Sequence, residues 1–180
     1  MSTPMLCQWD KRWRLTKMGG GLILGDHGCL LTTWADIVTD LTGESLDPVA
    51  ILTKAKAAGA ITAGGLPYQV QLALVLKCAA PELVRSPPQP FDLMRQTIVD
   101  ALASGGRAIL HVDHDSAKAK GDFDGDHFCS ARRIEGDVLV IGDPDGGEER
   151  RLDLQTLSGP GAGTKTYIVR SARPVRRLPQ

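Results

Sequence analysis

Hydrophobic residues recur at helical spacing in the first half of the chain and in short, nearly continuous runs in the second half. The first pattern is typical of amphipathic helices and the second of strands. We therefore predict four helices, one that begins at Cys29 and three at residues 49–58, 66–80 and 91–103, followed by five strands at residues 107–112, 128–134, 138–141, 150–154 and 166–169. Helices first and antiparallel strands second indicate an α+β domain.

The length and composition fit one domain. A chain of 180 residues, 42% of them hydrophobic, can bury a core without help from disulfides or metals. We place a single domain at residues 1–170 and expect residues 171–180 to be a solvated, basic C-terminal tail. A proline-rich stretch at residues 86–90 is predicted to join the helical and the strand-forming halves.

The charge pattern excludes some partner classes. Twenty-one basic residues balance twenty-one acidic ones, so no overall field favours nucleic acid or a membrane surface. No apolar run is long enough to cross a bilayer, and the first residues lack the basic start and apolar core of a secretory signal. We therefore expect synthesis into the cytoplasm, with later delivery outside the cell or incorporation into a phage particle left open.

Cys29 is the residue that most directly indicates chemistry. It follows a turn-like stretch ending at Gly28, and it lies off the apolar stripe of the helix that it begins. A thiol in the first turn of a helix meets free backbone amides and the positive end of the helix dipole, which favour the thiolate. Cys29 is therefore a candidate nucleophile.

His127 and Asp143 supply candidate partners for that nucleophile. His127 begins a predicted strand 98 residues after Cys29, and Asp143 ends the next strand 16 residues later. Two neighbouring strands joined by a short turn would bring the imidazole and the carboxylate together. Thiol attack on a carbonyl needs a base and a group that orients this base, and these two residues can fill both roles.

The chain resembles the papain-like cysteine peptidases of the bacteriocin-processing, double-glycine-leader type, and in particular their broad bacterial and phage branch. The resemblance covers residues 8–154 and rests on short motifs in a matching order. These motifs are Gln8-x-Asp10-x-x-Trp13, Gly28-Cys29-Leu30-Leu31-Thr32-Thr33-Trp34-Ala35, Asp47-Pro48, Gly59, Gly105-Gly106, His127-Phe128 and Gly142-Asp143-Pro144.

The resemblance implies a papain-like α+β fold, whose helical N-terminal half carries the cysteine and whose antiparallel C-terminal sheet carries His and Asp. It also implies Cys29 as nucleophile, His127 as general base and acid, Asp143 as the group that orients His127, and Gln8 as the oxyanion donor. Gln8 lies 21 residues before the cysteine, so this last role requires the chain to fold back.

The predicted function is that of a thiol-dependent amide hydrolase, a cysteine peptidase that acts through a Cys29 acyl-enzyme. Its substrate would be a peptide, a protein or a peptidoglycan cross-bridge. Two alternatives stay open. One is a catalytically silent binding or structural module with the same fold, for example in a phage or secretion particle; the other transfers the acyl group to an amine instead of water.

A metal-dependent hydrolase is the strongest rival. Residues 113–126 contain several aspartates and a histidine close to His111 and His127, which are common metal ligands. The spacing does not match a calcium loop, no Cys-x-x-Cys pair is present, and no matching ligands lie elsewhere. We therefore expect neither a metal nor another cofactor, and we interpret the segment as a solvated loop beside the cleft.

Overall fold

The computed structural model describes residues 5–81, 89–113, 126–163 and 165–179. The helices are α1 (Leu24–His27), α2 (Cys29–Thr42), α3 (Pro48–Ala57), α4 (Gln69–Val75) and α5 (Phe91–Ala103). The strands are β1 (Lys17–Gly19), β2 (Leu22–Ile23), β3 (Cys78–Ala79), β4 (Arg107–Asp113), β5 (Asp126–Glu135), β6 (Val138–Asp143), β7 (Glu148–Asp153), β8 (Ser158–Pro160) and β9 (Thr166–Arg177).

Three of the four helix predictions agree closely with the structure. α2 begins at Cys29, α5 has the predicted bounds, and α3 is capped by the Asp47 carboxylate, which accepts the Ala50 N–H at 2.7 Å. The third predicted helix, 66–80, is wrong over half its length, because only α4 is helical there. Lys77 adopts a positive φ of 56°, which ends the helical turn, and β3 follows.

Seven of the strands form one antiparallel sheet that closes on itself. Its order is β3-β9-β4-β5-β6-β7-β8, and β8 also pairs with β9, for example through Ser158 and Ile168. Six strands therefore make a barrel, and β3 is an additional strand outside it. β9 can serve several neighbours because it is 12 residues long and its register against β4 shifts between His111 and Val112.

This closed barrel overturns the predicted fold class. We expected a papain-like α+β domain with a helical N-terminal half and an antiparallel C-terminal sheet; instead a six-stranded barrel dominates and 31% of the described residues are helical. The N-terminal half also contains a β1–β2 hairpin. Alternation along a strand shows which side chains share a face, but an open sheet and a closed one produce the same alternation, so the pattern could not reveal closure.

The C-terminal segment is not a solvated tail. β9 continues through the predicted boundary at residue 170 to Arg177, and it pairs with β3 and β4 along the way. Ala172, Arg173 and Val175 are buried. Residues 171–177 therefore belong to the barrel domain, because this strand supplies one of its walls.

Two buried clusters flank the strands that carry the candidate site. One joins α2, α3 and α4 with Phe128, and the other joins α5 with one face of the barrel strands, including Cys129, Ile141 and Tyr167. Since successive residues of a strand point to opposite faces, Phe128 and Ser130 face α2, whereas His127 and Cys129 face the barrel interior. The start of α2 thus lies beside one end of the barrel.

Candidate active site

Cys29 occupies the first position of α2, directly after the short helix α1. Gly28 between them permits this tight junction, since a Cβ there would collide with the backbone carbonyl and side chain of Leu24. The Gly28 N–H donates to the Leu24 carbonyl at 2.8 Å, which closes the turn. Cys29 is only partly buried, so its thiol can be reached from solvent.

His127 and Asp143 are brought together by β5 and β6. The His127 Nε2 atom lies 2.8 Å from Asp143 Oδ1, and both residues are buried. β5 and β6 pair in antiparallel fashion with Ser130 opposite Gly142, which places the end of β6 next to the start of β5. The hairpin predicted from the 16-residue interval is therefore present.

The Cys29 side chain lies near enough to the His127 ring to contribute, with Cys129 and Asp143, to the raised pKa of the imidazole. Thiol, imidazole and carboxylate therefore lie in one region of the structure, although Cys29 lies 98 residues before His127. The structure thus assembles three of the four residues that the sequence singled out into one site.

Asp143 accepts four hydrogen bonds. Besides His127, Oδ1 accepts the Asp145 backbone N–H at 2.9 Å. Oδ2 accepts Arg150 Nε at 2.8 Å and the Tyr167 hydroxyl at 2.9 Å. Asp143 is fully buried, and these donors compensate the loss of water. Its carboxylate is therefore fixed from both oxygens.

Charges in the site follow from this arrangement. Burial alone would raise the pKa of Asp143, but hydrogen bonds from His127 and Arg150 outweigh burial and hold the pKa well below its usual range. Burial likewise opposes the charged His127 ring, yet interactions with Cys129 and with the Asp143 carboxylate raise the pKa of His127 well above its usual range. The site therefore favours an imidazolium paired with a carboxylate.

Gln8 folds back to the same region. Its backbone N–H donates to the Pro144 carbonyl at 2.8 Å, beside Asp143. Its side-chain Nε2 donates to the Gly25 carbonyl, also at 2.8 Å, in the helix that precedes Cys29. The Gly25 carbonyl fixes the orientation of this amide, because an oxygen in place of Nε2 would face another oxygen. Gln8 is buried and spans from the turn after Asp143 to the helix before the nucleophile.

A second polar network joins the cysteine helix to the histidine strand. Asp36 of α2 accepts Ser130 Oγ at 2.5 Å and Arg132 at 2.9 Å, and Arg132 also reaches Asp40 at 3.2 Å. Closer to the site, the Thr33 hydroxyl donates to the backbone carbonyl of Phe128, the residue after His127, at 2.9 Å. Thr33 lies one helical turn after Cys29, so this contact fixes the thiol relative to the ring.

Cys129 lies close to the His127 ring and to Asp143. Its sulfur, a ring nitrogen of His127 and a carboxylate oxygen of Asp143 lie within 4.8 Å of one another, which is close enough to consider a metal. The donors do not fit one. Burial raises the pKa of the Cys129 thiol to about 11, and both Asp143 oxygens already accept hydrogen bonds, including one from the Arg150 cation. The cluster is better suited to hydrogen bonding than to ligating an ion.

The local pattern does not distinguish Arg150 or Tyr167 from their neighbours. Arg150 is one of four charged residues in a row at 148–151, and Tyr167 lies in a predicted strand. Only the closure of the barrel through β8 and β9 places Tyr167 across from Asp143. The rival metal segment 113–126 lies mostly outside the described residues; Asp113 itself forms an ion pair with Arg170 at 2.8 Å.

No protein-family model matches the chain, and no curated protein matches it by sequence. Among the described residues, no helix has the length and apolar character that crossing a bilayer requires.

Proposed function

We propose that the protein is a thiol-dependent amide hydrolase with Cys29 as its nucleophile. The observation that supports this most directly is the buried His127–Asp143 pair, 2.8 Å apart, with the Cys29 side chain near the ring. Buried carboxylates and imidazoles also form structural pairs, but such pairs do not require a partly exposed cysteine nearby. The resemblance to cysteine peptidases in short motifs favours the same reaction, although the fold class expected from it is wrong.

The reaction divides into two acyl transfers. His127 takes the Cys29 proton, the sulfur attacks the substrate carbonyl carbon, and the carbonyl oxygen becomes an oxyanion. The C–N bond then breaks as His127 gives its proton to the departing amine, which leaves a Cys29 thioester. Water, deprotonated by His127, attacks the thioester, releases the acid and restores the thiol.

Asp143 and Gln8 have supporting roles in this proposal. Asp143 keeps the ring oriented through Nε2 and stabilises the imidazolium. One Gln8 Nε2 hydrogen is used by the Gly25 carbonyl, and the second remains for the oxyanion together with the Cys29 backbone N–H. The substrate is an amide of a peptide, a protein or a peptidoglycan cross-bridge. A peptidoglycan substrate would require delivery outside the cytoplasm.

The reactivity of Cys29 separates an enzyme from a silent binding module of the same structure. Cys7 is the matched control, because it is partly buried like Cys29, whereas Cys78 and Cys129 are buried and would react slowly for that reason alone. With limiting iodoacetamide near neutral pH, peptide mass spectrometry should show Cys29 labelled at least about tenfold faster than Cys7. His127→Ala should remove this advantage.

Hydrolysis is measured on peptide mixtures and on purified peptidoglycan. Cys29→Ala should abolish product formation and leave the melting temperature nearly unchanged, since the side chain is small and partly exposed. Addition of a primary amine tests transfer to an amine, which would yield a substituted amide. Equal labelling of Cys29 and Cys7 would contradict the proposed function in all its forms.

A further inference from the structure

Side chains from two strands of the barrel donate hydrogen bonds to Oδ2 of Asp143. Arg150 reaches Oδ2 from β7, the strand paired with β6, and Tyr167 reaches the same atom from β9. Tyr167 is fully buried, and the Arg150 side chain is 16% exposed. Their common target is the carboxylate oxygen that His127 does not use.

We propose that Arg150 and Tyr167 are positioning residues, which orient the Asp143 carboxylate and draw negative charge from it, so that His127 can release its proton during the reaction. The proposal rests on the proposed function and assigns it two further residues. Arg150 acts through Asp143, whereas Tyr167 bonds to Asp143 and also packs against the His127 ring, with the ring centroids 5.7 Å apart.

The orienting part follows from geometry. A carboxylate held only by His127 could rotate about its side-chain torsions, whereas donors on both oxygens leave a single orientation. The Asp145 N–H on Oδ1 and the two side chains on Oδ2 fix the plane of the group. Oδ1 consequently stays 2.8 Å from Nε2.

The charge part follows from competition between donors. Each hydrogen bond to Oδ2 stabilises negative charge there and makes Oδ1 a weaker acceptor for the imidazolium proton. A carboxylate with only one strong partner would hold that proton too tightly, and His127 could then not pass a proton to the leaving amine. Arg150 also repels the imidazolium directly, because both carry positive charge.

Other ionisable groups around this pair act from several elements. Cys129 lies on β5 and Cys29 on α2, while Asp145 and Lys165, joined at 3.0 Å, lie beyond the ends of β6 and β8. Glu148 of β7 accepts Arg150 at 2.6 Å and shares its charge with Asp143. Since the substitutions below leave these groups in place, a change in His127 titration reports on Arg150 or Tyr167.

The test is the titration of the His127 ring followed by NMR, with the resonance assigned through His127→Gln. Arg150→Met should raise the apparent pKa of the ring by about one pH unit, a tenfold change in proton affinity. Tyr167→Phe should raise it by less, because a neutral donor is lost. Arg151→Met is the matched control, since its charge is paired with Glu135 at 2.8 Å on a mostly exposed side chain, and it should leave the titration unchanged.

Arg150→Lys keeps the charge and one donor, so its titration should lie between those of the wild type and Arg150→Met. If Arg150→Met does not fold, Tyr167→Phe and Arg150→Lys decide the question. A His127 titration that is unchanged or lowered in the variants, with only the melting temperature reduced, would overturn the proposal. NMR titration requires no turnover, so this failure is distinguishable from failure of the proposed hydrolase function, which Cys29 labelling reports.

Discussion

Two buried aspartates of this protein each bind an arginine, yet their pKa values shift in opposite directions. Hydrogen bonds lower the pKa of Asp143 in spite of burial. Burial raises the pKa of Asp36 in spite of Arg132 and Ser130. Both are almost completely inaccessible, at 0% and 2% exposure, so burial alone does not explain the difference.

The partners explain it. Asp143 accepts four hydrogen bonds, and positive charges approach it from Arg150 and from the His127 imidazolium. Within the described part of the chain, the hydrogen bonds that Asp36 accepts come from Ser130 and Arg132. Arg132 is shared with Asp40 and Glu149, and the negative charge of Asp40 raises the pKa of Asp36 further. A carboxylate with a lowered pKa suits the orientation of a base, whereas Asp36, with its raised pKa, makes a buried contact between α2 and β5. The difference agrees with the role proposed for Asp143 and with a structural role for Asp36.

The largest expected effect is the loss of activity in Asp143→Ala. Without the carboxylate the ring loses its orientation and the imidazolium its counter-charge, so kcat/KM should fall by about 10⁴-fold while a residual rate persists. Asp143→Asn should be less severe, because the amide oxygen can still accept from Nε2. Steady-state kinetics on a cleaved substrate measure both variants.

The control for this experiment is the pH profile of Cys29 alkylation. Asp143→Ala should shift the profile relative to wild type, because the charge of His127 depends on the carboxylate. An identical profile and rate, with only a lower melting temperature, would mean that Asp143 merely closes the turn before Pro144.

Asp36→Ala should have its main effect on stability. Arg132 would lose its most buried partner, and Ser130 its acceptor, so the free energy of unfolding should fall by about 3 kcal/mol. Asp36→Asn should cost less, since the fold already favours the uncharged form of this side chain. Urea unfolding gives the free energies. A loss of kcat/KM as large as that of Asp143→Ala, in protein that remains folded, would remove the distinction between the two aspartates.

The sequence predicted the local elements that carry Cys29, His127 and Asp143 better than it predicted the fold that joins them. Cys29 at a helix start and His127 and Asp143 on consecutive strands are local features, and local periodicity shows them. The closure of the barrel depends on pairing between β8 and β9 and on the continuation of β9 into residues 171–177, which a basic, proline-containing segment does not indicate. The contact between Tyr167 and Asp143 could not be predicted for the same reason, because it forms only in the closed barrel.

Gln8 is an uncharged residue of the candidate site, and its loss should lower activity less than the loss of the Asp143 carboxylate does. Gln8→Ala should lower kcat by about 10²-fold, because one oxyanion donor is removed while Cys29 and His127 remain. Gln8→Glu retains the size of the side chain but loses the donor, so it should not restore the rate. Cys29 labelling by iodoacetamide, which needs no oxyanion donor, should stay fast in both variants. Slow labelling would mean that Gln8 only supports the helix before Cys29.

The opposite pKa shifts predict opposite pH dependences of stability. Asp143, whose pKa is lowered by folding, stabilises the protein above its unfolded pKa of about 3.9 and loses this contribution as the pH falls. Asp36, whose pKa is raised, stabilises the folded state at low pH and loses this contribution as the pH rises through its folded value. As the pH rises from 3 to 7, the free energy of unfolding of Asp143→Asn should therefore fall by about 1 kcal/mol relative to wild type. Over the same range, that of Asp36→Asn should rise by about 1 kcal/mol relative to wild type. Urea unfolding at several pH values measures this, and parallel changes in the two variants would contradict the comparison.

The smallest expected effect is that of a chelator on the Asp143 region. His127, Cys129 and Asp143 lie close enough to suggest a metal. The negative charge of Asp143 is, however, already stabilised by hydrogen bonds from Arg150, Tyr167 and the Asp145 N–H. An ion would have to displace these donors and would lie close to the Arg150 cation. EDTA should therefore change neither the melting temperature nor the rate of Cys29 alkylation, and metal analysis of the purified protein should find no stoichiometric ion. Cys129→Ser, with a less soft donor at the same place, should respond to EDTA in the same way. A stoichiometric metal, together with stability or reactivity lost on chelation, would mean that Asp143 is a metal ligand. The difference between the pKa values of Asp143 and Asp36 would then be due to an ion and not to Arg150 and Tyr167.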